Sequence, residues 1–322
     1  MPKSHVLCQG THKFAVSERL RRLCCLTGQA EVYSQASELL QAIGHIEISG
    51  MQIQRMCTHY GNLLDPLIGS NCEAVLPRLE PTPSDLHVYV MVDGAMLFTR
   101  PDEWREIKLG RIFTHDTVVQ LSPSRRQAQH SIYVSHLGSV ADFFPKLERH
   151  LTSYPRKVIV GDGAKWIWNW AEDNYPGAIQ ILDFFHAKEK LVDFARYHFS
   201  EDDHRLEWIE TQSQKLLNNE VEEVMDNVRR CRVRSPEARK AKEKLLKYYV
   251  EHDDRMNYKT YQEQGLLIGS GPIEAAHRNV IQQRMKRSGQ KWSVKGAQAI
   301  ANLRCYRCSK AWNMVEKVIA AA

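Results

Sequence analysis

No apolar run in this 322-residue chain reaches the roughly eighteen residues of a membrane span, and the opening MPKSHVLCQG lacks the apolar centre of a secretory signal. Disulfide chemistry is equally poorly served: eight cysteines occur as single residues, one adjacent pair (Cys24, Cys25) and one C-x-x-C (Cys305, Cys308), without the regular spacing of a secreted framework. A second cysteine pair at zinc-binding spacing is missing, and His5, Cys8 and His12 do not make up for it. Nor is there a strong excess of either charge, the formal net charge being +6, or an internal repeat beyond two D-G-A strand ends. These absences point to a cytoplasmic protein with reduced thiols and no membrane partner.

What is present is ordinary globular material, 43% apolar and 25% charged, long enough for two domains or for one domain carrying a large insertion. Residues Phe14 to Gly61 read as three short helices, with Ser17 as one N-cap, Ser34 and Ser37 as capping candidates for the second and Gly44 as its stop. The third, SGMQIQRMCTHYGNLL, exposes Gln52, Gln54 and Arg55. A helix-turn-helix and a plain three-helix packing unit both fit, and the second is the commoner solution. The boundaries expected are a helical domain over 1–75 and a proline-rich linker over 76–85, LPRLEPTPSD.

The texture then changes. LHVYVMVD, WREIKLGRIFTHD and QHSIYVSHL read as strands, SVADFFPKLERHLTSY as a helix containing Pro145, KVIVGD as a strand, KWIWNWAEDN as a helix and AIQILD as a strand. Three early strands joined by short turns suit an antiparallel meander, and the later alternation suits parallel crossovers. The fold expected is therefore α/β: a ribonuclease H-like mixed five-stranded sheet with its first part over 86–195. A densely charged α-helical insertion over 196–262 and a second core part with basic C-terminal helices over 263–322 follow. Trp166, Trp168 and Trp170 alternate too closely to share one helix face, so some should enter the core.

Three strands end on an acid: Asp93, Asp162 and Asp183. Asp93-Gly94 suits a hairpin turn as well as a functional acid. No hairpin follows Asp162, and an acid at the C-terminal end of an α/β strand lies where ligands usually bind. Glu274, near the start of a helix after Gly271 and Pro272, has a helix-dipole reading of its own. Taken together, such acids need a neutralising hard cation, and two magnesium ions about 4 Å apart would serve an in-line phosphoryl displacement.

Long stretches here, YVMVDGA, YVSHLG, VIVGDGAKWIWNWAEDNYPGAIQILDFFHAKEKL and IGSGPIEAAHRNVIQQRMKRSGQKWS, resemble insertion-sequence transposases of the DDE class with a ribonuclease H-like core. The similarity is greatest to the ISKra-type family, more distantly to Mutator-like transposases. It implies Asp93, Asp162 and Glu274 as the catalytic acids and metal ligands, for two Mg2+ ions with Mn2+ as the alternative. Asp183 and His186, a D-x-x-H element, would support the site. The implied activity is cleavage at the terminal inverted repeats of a mobile element and strand transfer into target DNA, by a homo-oligomer on double-stranded DNA. Relatives of that kind tend to carry more chain at the N-terminus, so a truncated, DNA-binding remnant stays open beside a ribonuclease H-like nuclease without strand transfer.

After Glu274 the charge is one-sided, with Arg278, Arg284, Lys286, Arg287, Lys291, Lys295, Arg304, Arg307, Lys310 and Lys317 against Glu316 alone. The run suits a phosphate-neutralising surface, with Trp292 among the contacts. His277 and Arg278, three and four residues beyond Glu274, share its helical face and are expected to touch DNA or transition-state charge.

Overall fold

The computed structural model describes residues 14–65, 77, 79, 86–101, 103–122, 125–152 and 154–322. The 76–85 segment, apart from residues 77 and 79, and the residues His5, Cys8 and His12 lie outside this set.

Five strands form one mixed sheet in the order β5-β2-β1-β6-β7: β1 (Val88–Thr99), β2 (Glu103–Thr114), β5 (Ile132–Leu137), β6 (Lys157–Gly161) and β7 (Ile179–Leu182). β2 pairs antiparallel with β5, while β1 with β6 and β6 with β7 run parallel. Counting sheet strands alone, the early three lie together and the two parallel strands extend the sheet on the other side of β1. This is the ribonuclease H-like fold. A separate hairpin of β3 (Val118–Ser122) and β4 (Arg125–Ala128) lies between β2 and β5 in the chain, and no strand was expected there.

The chain divides into two compact units. One comprises Met1–Ser84, Asp93–Pro155 and Ile273–Ala322. Its helices are α1 (Glu18–Ala30), α2 (Tyr33–Gly44), α3 (Gly50–Leu63) and α4 (Val140–Glu148) from the first part of the chain. The later part adds α11 (Gly271–Ala276), whose first two residues fall just outside the unit, a π-helical stretch His277–Gln282, α12 (Gln283–Met285), α13 (Val294–Cys308) and α14 (Trp312–Ala321). Ser17 caps α1 through Leu20 N–H and Ser49 caps α3 through Gln52 N–H. α2 differs from expectation: its N-cap is Val32, without a side-chain bond, and its stop is His45 in the left-handed region at φ 50°. Pro145 sits inside α4 without ending it.

α13 is buried on nearly every face, from Gly296 to Tyr306, as befits a helix at the centre of a domain. It packs on α3 and β5. A Cβ at Gly61 would overlap the Ala299 backbone, so glycine permits the close α3–α13 approach, and Asn302 Nδ2 donates to Gly61 O at 2.9 Å. The three N-terminal helices thus share a core with the C-terminal helices rather than standing apart from them. Arg304, read from sequence as part of a basic face, is buried and donates to the carbonyls of Val280 and of Gln29 (2.8 Å).

The other unit comprises Asp85–Val92 and Arg156–Pro272. It contains α5 (Lys165–Asn174), α6 (Phe184–His198) and the helices of the charged segment, α7 (Asp202–Leu217), α8 (Val221–Arg230), α9 (Pro236–Val250) and α10 (Tyr258–Glu263). α6 packs against α7 and α9. Trp168 and Trp170 are buried, and Trp168 meets the charged segment, with Arg255 over its ring at 4.9 Å. All six described cysteines are unpaired thiols, Cys305 buried with its pKa pushed up to about 12 by burial. Among the described residues no helix is long and apolar enough to cross a membrane.

Candidate active site

Asp93 does not end β1. The strand runs on through Asp93-Gly94 to Thr99, which excludes a hairpin turn there, and burial changes along it: Val88–Val92 are buried, whereas Asp93 to Ala95 are half-buried and Met96 is exposed. The acid stands where unbroken burial ends, and Leu97 and Thr99 beyond it are buried again. Its Oδ1 accepts the Gly94 N–H at 2.7 Å, and its Oδ2 lies 3.3 Å from His277 Nε2.

That imidazole is 4% exposed and neither ring nitrogen has hydrogen-bond geometry to a partner, so its approach to Asp93 is a close contact rather than an aligned hydrogen bond. Burial lowers its pKa against the opposing pull of the Asp93 carboxylate, with Lys286 lowering it further. His277 opens the π-helical stretch that follows α11, and such irregular turns recur at functional sites. Glu274 and Arg278, both exposed, lie three residues before and one residue after it.

Sequence reading missed Glu106. A side chain at Gly94 would collide with the Glu106 carboxylate, so glycine lets a second acid stand beside the Asp93 backbone. Glu106 Oε2 in turn accepts from Lys108 Nζ at 2.8 Å. Alternation along β2 gave no reason to single it out.

In the other unit, β1 and β6 run in parallel register, with Met91 opposite Val160. Two residues beyond Val160 lies Asp162, whose Oδ1 accepts the Ala164 N–H at 2.9 Å, an Asx-type turn that carries the chain into α5. Tyr248 of α9 packs against Gly163 so closely that a Cβ there would enter its ring. Burial and the carboxylates of Asp162 and Asp183 raise the Tyr248 pKa.

Asp183 is fully buried and caps α6. Its Oδ1 accepts Phe185 N–H at 2.7 Å; its Oδ2 accepts Ser270 N–H and His186 Nδ1, both at 3.0 Å, and the Ser270 hydroxyl. Burial alone would raise the Asp183 pKa, but the bonds from His186 and Ser270 outweigh it and hold the carboxyl below its ordinary range. The Asp183 hydrogen bond, with the charges of Asp183 and Asp162, raises His186 to about 8. Ser270, also missed from sequence, is recognisable only once the fold places it on Asp183.

His186 is therefore an imidazolium at neutral pH. The proton resonances of its ring are expected to titrate with a midpoint near 8. In Asp183→Asn the midpoint should fall toward the ordinary histidine value of 6.5, and an unchanged midpoint in an NMR titration would sink this assignment.

Three expectations about DNA contacts need correcting. Arg284 is 1% exposed, donates to Gly28 O at 3.1 Å and lies between the rings of Tyr33 (4.9 Å) and Trp292 (5.0 Å). Trp292 is itself buried and donates to Met285 O at 3.0 Å. Both hold α1 and α2 to the 285–292 segment and offer no surface to a phosphate. Buried His277 faces Asp93 instead of solvent. Lys286 and Lys291 are exposed, and Arg287 is half-buried and tied to Glu31 at 2.8 Å.

Among the described residues, no three His, Cys, Asp or Glu side chains are grouped so as to hold a metal ion. A sequence profile described as an uncharacterised protein family, UPF0236, matches residues 139–318, more than half of the chain. The chain belongs to this family. The matched span includes Asp162, Asp183, His186, Ser270, Glu274 and His277 and leaves Asp93 outside it. No curated protein matches the chain. Among solved structures, the Drosophila P element transposase strand transfer complex is similar at a TM-score of 0.34 and 10% identity, over 95% of this chain and 82% of that one. That likeness is too distant to carry a structural inference.

Proposed function

We propose that this member of UPF0236 is a DNA transposase of the DDE type, which cleaves strands at the ends of a mobile element and joins them to target DNA. The reading rests first on the parallel register of β1 and β6. Met91 is opposite Val160, and each strand reaches an aspartate two residues later, Asp93 and Asp162.

Asp93, Asp162 and Glu274 are the proposed catalytic acids and metal ligands. The donor chemistry fits magnesium, which prefers hard oxygen ligands and is held by one or two carboxylates together with substrate phosphates and water, so a preformed three-acid cage is not required. Asp183 is unsuited as a ligand because both its oxygens are occupied by donors inside the protein. The ions would supply Lewis-acid activation of the attacking oxygen and stabilisation of the leaving oxygen.

The chain's own residues do the rest. Asp183 holds His186 protonated, giving a fixed cation suited to a phosphate oxygen, and the exposed Lys286, Lys291 and Arg278 neutralise flanking phosphates. Buried His277 stands against the Asp93 carboxylate, its Nε2 3.3 Å from Oδ2. The expected partners are the terminal inverted repeats and target DNA, engaged by a homo-oligomer.

The test is incubation of the full chain with labelled duplex from the DNA flanking its own coding sequence, with Mg2+, Mn2+ or EDTA. Metal-dependent nicks bearing a 3′ hydroxyl, followed by joined product, are expected. Cleavage without joining would reduce the proposal to a nuclease, and binding without cleavage under either metal would overturn it.

A further inference from the structure

Beside the end of β1 lies a surface cavity of about 480 Å3 with an unusual lining. Trp104 is 64% exposed and Met96 46% exposed, on neighbouring strands of the sheet. Phe98 stands behind them, its ring centroid 5.1 Å from that of Trp104. The opposite wall is the loop after α12, which brings Lys286, Arg287 and Lys291, the last with Nζ 5.3 Å from the Phe98 ring.

The loop is held in place. Arg100 N–H donates to Trp292 O at 2.8 Å, Trp292 Nε1 closes the loop onto Met285 O, and Arg287 is anchored on Glu31. Gly289, at φ 74°, makes the turn that a side chain would strain. An indole left this far in water has given up the burial that normally places tryptophan, so its exposure calls for an occupant.

We propose that this cavity takes an unpaired nucleotide at or beside a DNA strand end, its base stacked on Trp104 and its phosphates met by Lys286 and Lys291. The combination decides the class of ligand. A flat aromatic face accepts any base, and cations at its rim neutralise the backbone on either side, which is how single-stranded nucleic acid is held without sequence readout. A purely apolar partner would take the exposed Lys286 and Lys291 out of water without bringing a negative group to them. The inference deepens the transposase reading, on which it rests for the source of the strand end.

The full chain is titrated in EDTA against fluorescein-labelled duplex that is blunt or carries a short single-stranded overhang of either polarity. The overhang should bind about tenfold more tightly, Trp104→Ala should erase that preference, and Trp104→Phe should keep most of it. Lys291→Ala should weaken both ligands and flatten the salt dependence. Trp104 is exposed, so its removal leaves the core intact.

Equal affinities in the full chain, or a preference that survives Trp104→Ala, would overturn the proposal. So would a change in oligomeric state in Trp104→Ala with the preference intact, which would mark the patch as a protein contact. The two readings separate in Mg2+: cleavage without overhang preference rejects only the stacking site, and overhang preference without cleavage rejects only the transferase.

Discussion

Asp162→Asn should abolish metal-dependent strand cleavage, by about 10³-fold or more, while leaving the fold and the affinity for DNA in place. The geometry makes this substitution unusually clean. The Asp162 Oδ1 that accepts the Ala164 N–H has a counterpart in the asparagine carbonyl oxygen, so the turn into α5 keeps its bond. Tyr248 still packs against Gly163. What is lost is one unit of negative charge at the end of a parallel strand, and with it a hard ligand for a divalent ion.

Two readouts accompany the loss. Asp162 is one of the charges that raises His186 to about 8, so the His186 titration midpoint should fall in the variant. Asp173→Asn, an exposed acid of α5, should behave as the unaltered chain does. Cleavage persisting in Asp162→Asn at more than a tenth of the wild-type rate would remove Asp162 from the chemistry.

Asp183→Ala is expected to cost about 3–5 kcal/mol of stability. The side chain is fully buried, and its removal strands the N–H groups of Phe185 and Ser270, the Ser270 hydroxyl and the protonated ring of His186. Ser270→Ala, which removes one donor and leaves the carboxylate with its others, should cost about 1–2 kcal/mol. Denaturant unfolding of the variants checks both figures, and an Asp183→Ala midpoint equal to wild type would refute the role given to the network.

The pH dependence has a definite sign. The folded Asp183 pKa is lowered, so its stabilisation is present above the unfolded value of 3.8 and is lost as pH falls through the lower folded value. The folded His186 pKa is raised, so its contribution is full below 6.5 and disappears as pH rises through about 8. The network is therefore strongest between these limits, and Asp183→Ala should flatten the stability profile on both sides.

Much of the fold could be read in advance because its causes are local. Alternation fixes which residues of a strand face inward, and the order of strands and helices allows few topologies, so the mixed sheet followed from the chain order. Ser17 was identifiable as an N-cap because capping acts over three residues. The β3–β4 hairpin escaped notice: LSPSRRQAQH is polar on both faces and has no periodic signal.

The acids divide along the same line. That Asp93, Asp162 and Asp183 follow apolar runs is a property of the sequence. That Asp183 is a structural cap tied to Ser270, while Asp93 stands half-buried against His277, depends on partners 87 residues or more away along the chain. The basic segment shows the limit most plainly. A run of arginines and lysines looks uniform in sequence, yet Arg284 and Arg304 are core residues bonded to carbonyls of α1 some 256 and 275 residues distant, whereas Lys286 and Lys291 reach solvent. Charge and periodicity along the chain specified the elements and the supply of acids and bases. Which of those charges water would reach was decided by long-range packing, since burial depends on neighbours that sequence order does not bring together.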